Sequence, residues 1–280
     1  MTYAIAEYHV HENHSSDAPN GYIESYIKEA EVKGIKEIAF TTHLIIQGQD
    51  AYFGIQEPQI EEYIETIKQA DEDTNINLKA GLEVDYFPDA EKELDRILNE
   101  HTLDYVLGSV HYINGLDIGS RRASPNFFLG RPISAATDEY FTEWRKAIVS
   151  GLFDVMAHPD YWRKFIGLVY DPAVEWVDYG GVVQASIDSM ASYNVGFEVN
   201  TSAHRHGLKT NYPIGKFIKA AFEAGVKTVT VGTDSHSPSH LGFKTSQALD
   251  ELRKAGYRNI SLFSERKKQE VSIEDALNTK

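Results

Sequence analysis

The sequence predicts an α/β chain closed into one parallel (β/α) barrel, and three observations predict it. Short apolar, β-branched runs alternate with amphipathic helical stretches roughly seven or eight times along the chain. No linker or low-complexity segment breaks the alternation, so a single domain over residues 1–280 is expected. His9, His43, Glu83, His111, His158 and Asp234 each follow the C-terminal end of a different expected strand. In a barrel those ends converge on one face. In the runner-up, an open doubly wound sheet, they would spread along an edge.

The elements follow in order. Residues 4–10 read as the first strand, and the polar, turn-rich stretch 11–21 as a loop. A helix over 22–33 stops at Gly34. Residues 35–41 form the second strand, with His43 just past its end, and a loop through Gly54 leads to a helix over 55–72. The third strand covers 76–84. Pro88 then opens a helix reaching Asn99, with Asp89 and Glu91 in its first turn. The fourth strand, 103–110, runs into His111. Residues 112–136 lack periodicity and read as a long loop carrying Arg121, Arg122 and Arg131. A helix over 137–150, a strand over 153–157 and a helical segment from Asp171-Pro172 to Tyr193 come next. Strand 195–200, the polar, basic loop 203–211 and a helix from Pro213 to Gly225 precede the buried strand 226–231. A helix over 243–255, a short strand over 257–263 and a terminal helix after Ser272 complete the chain.

Composition narrows the chemistry. There is no cysteine, which excludes disulfides, thiolate metal sites and a cysteine nucleophile. Any metal must be held by imidazole and carboxylate, a donor set that suits Zn, Mn or Fe. The first residues lack a signal-peptide pattern, and no apolar run approaches a membrane span, so a cytoplasmic protein with no membrane partner is expected. The net charge of -15 argues against a nucleic-acid partner. Arg266-Lys267-Lys268 is the one basic block, and it reads as solvated surface. A small anionic substrate stays compatible, because local cations dominate the field of a pocket.

Two stretches carry ligand chemistry. Gly232-Thr233-Asp234-Ser235-His236-Ser237 follows the buried strand, and His9-Val10-His11 follows the first. In each, two ligands stand at i and i+2 and face the same way on extended chain. Alone, either is a weak signal, since a surface pair or a satisfied core histidine fits as well. Six of the eleven histidines (9, 11, 43, 111, 158 and 236) fall at or just past strand ends, and that is harder to place by chance. With Glu83, Asp234 and Asp17 they exceed the needs of one tetrahedral ion and point to two or three, with Glu83 the natural bridge. Clustered cations suit phosphoester hydrolysis: they generate hydroxide at neutral pH and hold phosphate oxygens as charge builds.

The chain resembles the polymerase-and-histidinol-phosphatase (PHP) family, and within it the monofunctional histidinol-phosphate phosphatases. The resemblance rests on His9-Val10-His11, Phe40-Thr41-Thr42-His43, Gly81-Leu82-Glu83-Val84-Asp85-Tyr86, the run from Asp104 to His111, Ala157-His158-Pro159-Asp160, Glu198-Val199-Asn200-Thr201-Ser202 and Gly232 to Pro238. It implies a distorted (β/α)7 TIM-like barrel and a trinuclear centre of divalent Zn, Fe or Mn. One ion would take His9, His11, Glu83 and Asp234. A second would share Glu83 and add His111 and His158. A third would take Asp17, His43 and His236. Glu83, Asp234 and His236 would carry catalysis, the last two by managing protons. Arg163 and Arg205 would hold phosphate, with Arg131, or one of Arg121 and Arg122, contributing. His204 and His206 flank Arg205 and are expected to shape the pocket.

The implied reaction is hydrolysis of L-histidinol phosphate, a small phosphorylated metabolite of histidine biosynthesis. A phosphoesterase for a nucleotide or sugar phosphate and a non-catalytic accessory domain are the alternatives. Three positions depart from the family pattern. Thr42 stands where relatives carry a carboxylate, Glu12 where they carry threonine, and Ala203-His204 where they read Gly-Leu before the arginine. These leave the ligand set intact and touch the substrate wall.

Overall fold

The computed structural model describes residues 5–48, 50–170 and 181–277. Seven parallel strands form one sheet: β1 (Ala6–Val10), β2 (Glu37–Leu44), β3 (Asn77–Asp85), β4 (Tyr105–Ser109), β7 (Val155–Met156), β8 (Gly196–Asn200) and β9 (Val229–Gly232), hydrogen-bonded in that order. The ends of the sheet meet. His11 N–H donates to Ser235 O at 2.8 Å, and Ser235 N–H to His9 O at 3.1 Å. The sheet is therefore a nearly closed barrel, as the alternation of elements predicts.

Helices α1 (Ile23–Lys33), α2 (Ile60–Glu72), α3 (Glu91–Glu100), α4 (Ser124–Phe128), α5 (Ile133–Ser150), α6 (Gly181–Tyr193), α7 (Gly215–Glu223), α8 (Thr245–Ala255) and α9 (Ile273–Leu277) complete the fold. Their apolar stripes explain their positions. In α2, Ile60, Tyr63, Ile64 and Ile67 are buried at i, i+3, i+4 and i+7. Gly34 ends α1 with φ 73°, a left-handed conformation that glycine adopts without a Cβ penalty. No helix among the described residues is long and apolar enough to cross a membrane.

Several expectations shift. His43 lies inside its strand rather than just past its end, because the backbone ladder continues under the inward-facing imidazole, and His9 and Glu83 lie within their strands as the expected bounds 4–10 and 76–84 have it. The stretch 55–59 contains a 3-10 turn at Glu57–Gln59, and α2 starts only at Ile60. Pro88 and Asp89 form a turn before α3 rather than its start. The long loop 112–136 holds a small hairpin, β5 (Tyr112–Ile113) with β6 (Leu116–Asp117), then α4 and the first turn of α5. The expected helical start at Asp171-Pro172 lies outside the described residues.

A second hairpin, β10 (Asn259–Ser264) with β11 (Lys267–Ser272), underlies the barrel. Phe263 reaches its floor, with ring centroids 5.0 Å from Tyr105 and 6.2 Å from Tyr8. Arg266 is not simply solvated. Its guanidinium pairs with the Asp154 carboxylate at 3.0 Å and donates to Leu152 O.

The first strand contains an irregularity that matters for the site. Glu7 pairs with Ile38 and Val10 with Phe40, so β1 carries one residue more than β2 across this interval. Strict alternation would set Tyr8 and His9 on opposite faces. With the bulge, Ala6 and Tyr8 pack into the floor, His9 and His11 face the mouth, and Val10 joins the outer core.

Candidate metal centre

Glu83 stands at the centre of the mouth, 1% exposed. Its Oε1 lies 2.9 Å from His158 Nε2 and 3.6 Å from His111 Nε2. Its Oε2 lies 3.0 Å from His43 Nδ1, 3.3 Å from His9 Nε2 and 3.5 Å from His11 Nε2. Asp234 Oδ1 forms a second node, 3.3 Å from both His11 Nε2 and His236 Nδ1 and 3.7 Å from His9 Nε2. Asp17 sits at the rim, with Oδ2 3.0 Å from His236 Nε2 and 3.7 Å from His43 Nε2. All nine residues singled out as ligands thus come together.

Four overlapping groups present three ligand atoms within 4.8 Å of one another: His9, His11 and Asp234; His9, Glu83 and His158; His43, Glu83 and His111; and His11, His43 and His236. The donor set fits borderline divalent ions, since imidazole nitrogens and carboxylate oxygens alternate around shared points. The groups are shared rather than partitioned. His43 faces Glu83 with Nδ1 and Asp17 with Nε2.

Electrostatics reflect this crowding. Burial raises the Glu83 carboxyl, but the imidazoles of His9, His43 and His111 and the His158 bond outweigh it and hold Glu83 well below the usual range. Burial likewise opposes ionisation of Asp234, and His9, His11 and His236 overcome it. Burial and the neighbouring His236 and His43 lower His11 to about 3. Two of the candidate ligands sit on left-handed backbone, His158 at φ 24° and Asp234 at φ 52°. For residues with a Cβ such conformations are strained and persist only where the surroundings fix them.

A layer of supporting residues orients the imidazoles. Glu198 Oε1 accepts from His9 Nδ1 at 2.8 Å, and its Oε2 takes the His158 N–H at 3.1 Å and the Asn200 amide at 2.9 Å. Asp85 holds His111 Nδ1 at 3.1 Å. Ser15 Oγ lies 3.3 Å from His11 Nδ1 and 2.5 Å from Thr42 Oγ1, so Thr42 supports the site through a hydroxyl relay in place of a carboxylate. Such partners fix the tautomer and aim of a ligand. His14 turns away to Glu12, at 2.9 Å, which accounts for the glutamate at that position.

The expected phosphate-holding residues divide. Arg205 stays at the site, donating from Nη2 to Asp234 O at 2.7 Å. Arg163 does not reach the mouth. It is fully buried, paired through Nε with Asp160 at 3.0 Å and donating to Thr210 Oγ1 and Asn211 O. Arg131 is pinned to α5 by Glu139 and to Phe127 O. Arg121 and Arg122 are exposed, and His204 is half-buried at the end of the 3-10 turn Thr201–His204. The cation missed in the sequence is Lys164. It lines a 190 Å³ cavity with Asp17, His43, Asp85 and His111. Its Nζ donates to Tyr161 Oη at 2.6 Å, and Tyr161 stacks on His158 at 4.3 Å.

Arg163→Ala is accordingly expected to act on stability. It strands the buried Asp160 carboxylate, at a cost of about 3–5 kcal/mol. Thermal melting should fall steeply while the KM of the remaining folded protein for a phosphoester stays near wild type. A raised KM without loss of stability would return Arg163 to the substrate.

A nearly closed parallel barrel that gathers imidazoles and carboxylates at its C-terminal mouth defines a class, the barrel hydrolases built to work with clustered metal ions. The match to the PHP domain family model spans residues 7–202, and the chain belongs to that family. It is 28% identical over 276 residues to the probable histidinol-phosphatase of Deinococcus radiodurans, covering 95% of this chain and 98% of that one. It is 24% identical over 259 residues to the histidinol-phosphatase of Lactococcus lactis, covering 92% and 94%. Among solved structures, the histidinol phosphate phosphatase of Lactococcus lactis complexed with zinc, L-histidinol and phosphate superposes with a TM-score of 0.76 at 21% identity, covering 94% of this chain and 98% of that one.

Proposed function

We propose that the protein is a metal-dependent phosphomonoesterase, one domain throughout, that hydrolyses L-histidinol phosphate to L-histidinol and phosphate. The observation that carries this reading is the gathering of nine candidate ligands, with five imidazoles directly around Glu83, beside a small cavity bearing Lys164. The near full-length likeness to histidinol-phosphatases supports it.

Three divalent ions, of Zn, Fe or Mn, would be held by His9, His11, Glu83 and Asp234, by the shared Glu83 with His111 and His158, and by Asp17, His43 and His236. When bound, such ions supply hydroxide at neutral pH and neutralise the phosphate oxygens. The chain's own residues do the rest. Glu83 fixes the spacing of the groups through its two oxygens. Arg205 braces the left-handed turn at Asp234 through the backbone carbonyl. Lys164 offers a positive charge to the phosphate oxygens from the cavity wall. Asp234 would accept a proton and pass it through the Nδ1 of His236, 3.3 Å from Asp234 Oδ1, to the departing alkoxide, the ion being held by His236 Nε2 on the Asp17 side.

The test is phosphate release by the metal-loaded protein from a panel of esters. L-Histidinol phosphate is expected to exceed nucleotide and sugar monophosphates by about a hundredfold in kcat/KM. Negligible turnover of it by protein with a full metal complement would end this reading.

A further inference from the structure

Behind three of the clustered imidazoles stands a group that can only accept a hydrogen bond. Glu198 Oε1 backs His9 Nδ1 at 2.8 Å, Asp85 Oδ1 backs His111 Nδ1 at 3.1 Å, and the Asp234 carbonyl backs His236 Nδ1 at 3.1 Å. Each fixes a proton on Nδ1 and leaves the Nε2 lone pair to the mouth. His11 differs. Its Nδ1 faces the Ser15 hydroxyl at 3.3 Å, a group that can donate or accept. We propose that Thr42 is a positioning residue: by accepting the hydrogen of Ser15, it selects the His11 tautomer that presents the Nε2 lone pair to a metal ion. This rests on the metal-centre reading of the site and not on the identity of the ester.

A serine hydroxyl has one hydrogen and two lone pairs. Ser15 Oγ meets three partners: the His43 backbone N–H at 3.1 Å, His11 Nδ1 at 3.3 Å and Thr42 Oγ1 at 2.5 Å. The His43 N–H can only donate, so it takes one lone pair. One lone pair and one hydrogen remain for His11 and Thr42. If Ser15 donates to Thr42, its second lone pair takes the proton of His11 Nδ1. If Thr42 donates to Ser15, the hydrogen of Ser15 turns to His11 Nδ1. The His11 proton then sits on Nε2, the nitrogen that faces Asp234 and Glu83. Only the first arrangement leaves Nε2 free for an ion.

Burial makes the choice matter. His11, Ser15 and Thr42 are all 0% exposed, so bulk water does not stand in for a missing partner. The backbone of Ser15 is pinned as well. Its N–H donates to Glu12 O at 3.0 Å, and its carbonyl takes the Ala18 N–H at 2.9 Å. The loop therefore holds Oγ among its three partners. Thr42 belongs to β2, one residue before His43, so the strand that presents one imidazole also sets the proton of another.

The experiment measures zinc affinity of the full chain by competitive chelator titration in wild type, Thr42→Val, Thr42→Ser, Ser15→Ala and the double variant Ser15→Ala with Thr42→Val. Valine keeps the shape of threonine and removes the acceptor, and serine restores it. Thr42→Val is expected to weaken zinc binding about tenfold, the scale of an outer partner of a metal ligand, and Thr42→Ser to stay within about twofold of wild type. The double variant should bind no more weakly than Ser15→Ala, because Thr42 acts through Ser15. Imidazole nitrogen NMR shifts supply a second readout. In the metal-free chain the His11 proton is expected on Nδ1 in wild type and to move towards Nε2 in Thr42→Val, which a loss of packing would not produce. Wild-type zinc affinity in Thr42→Val, equal weakening by valine and serine, or an unmoved His11 proton would each overturn the proposal. Wild type that takes up no zinc would overturn it together with the metal-centre reading. Full zinc uptake without turnover of histidinol phosphate would end the phosphatase reading alone.

Discussion

Glu83→Ala is expected to lower phosphoester hydrolysis on the order of a thousandfold and to strip the protein of most of its metal. The side chain is the one group that touches five of the six clustered imidazoles, through two oxygens at 2.9–3.6 Å. Its loss leaves those imidazoles facing one another across a void, with Asp234 the remaining carboxylate that faces both His9 and His11 through Nε2. Elemental analysis after gel filtration checks the metal content, and circular dichroism checks that the barrel persists. Glu83→Gln separates shape from charge, since it keeps the volume and one oxygen. Metal content and turnover within tenfold of wild type in both variants would remove Glu83 from the centre of the site.

The second large effect belongs to a residue with no side chain. Gly232, the last residue of β9, faces the barrel interior where Glu198 and His9 meet. A Cβ there would fall inside the Glu198 carboxylate and 2.5 Å from His9 Cβ. Glu198 cannot yield freely, because it holds His9 Nδ1, the His158 N–H and the Asn200 amide together. Gly232→Ala is therefore expected to cost about 1–3 kcal/mol of stability by overpacking. It should also weaken metal affinity by about 10–100-fold by displacing the partner of two ligands. Denaturant melts and competitive chelator titration measure the two losses separately. Wild-type values in both would show that Glu198 moves aside at no cost.

Much of this was legible in the chain, and the failures have physical causes. The barrel and the gathering of the nine candidate ligands at one mouth followed from strand ends and from motif, because a polar inward side chain interrupts an apolar run wherever it faces. The same signal set His43 past the end of its strand, since a polar inward residue ends an apolar run without ending a strand. Glu198 and Asp85 escaped notice as supports, although a carboxylate at an inward position of a buried strand needs a partner and so carries a signal. The hairpin after β4 was also readable. Asn114-Gly115 is a strong turn signal, and both residues adopt positive φ, 51° and 74°. Arg163 and Lys164 could not be told apart by sequence. They are neighbours at a 3-10 turn, where one residue's difference sends one cation into the core and the other to the cavity.

The extra residue in β1 has a consequence for how the molecule tolerates change. Tyr8 belongs to the floor, against Tyr105 and Phe263, and His9 to the mouth, yet they are consecutive. The bulge works as a gear between two layers that would otherwise turn together. Deleting one residue between Glu7 and Val10 would reverse the phase of everything on one side of it, and set either the floor residues or the imidazoles on the wrong face. The first strand is thus intolerant of any change in length, whatever its side chains.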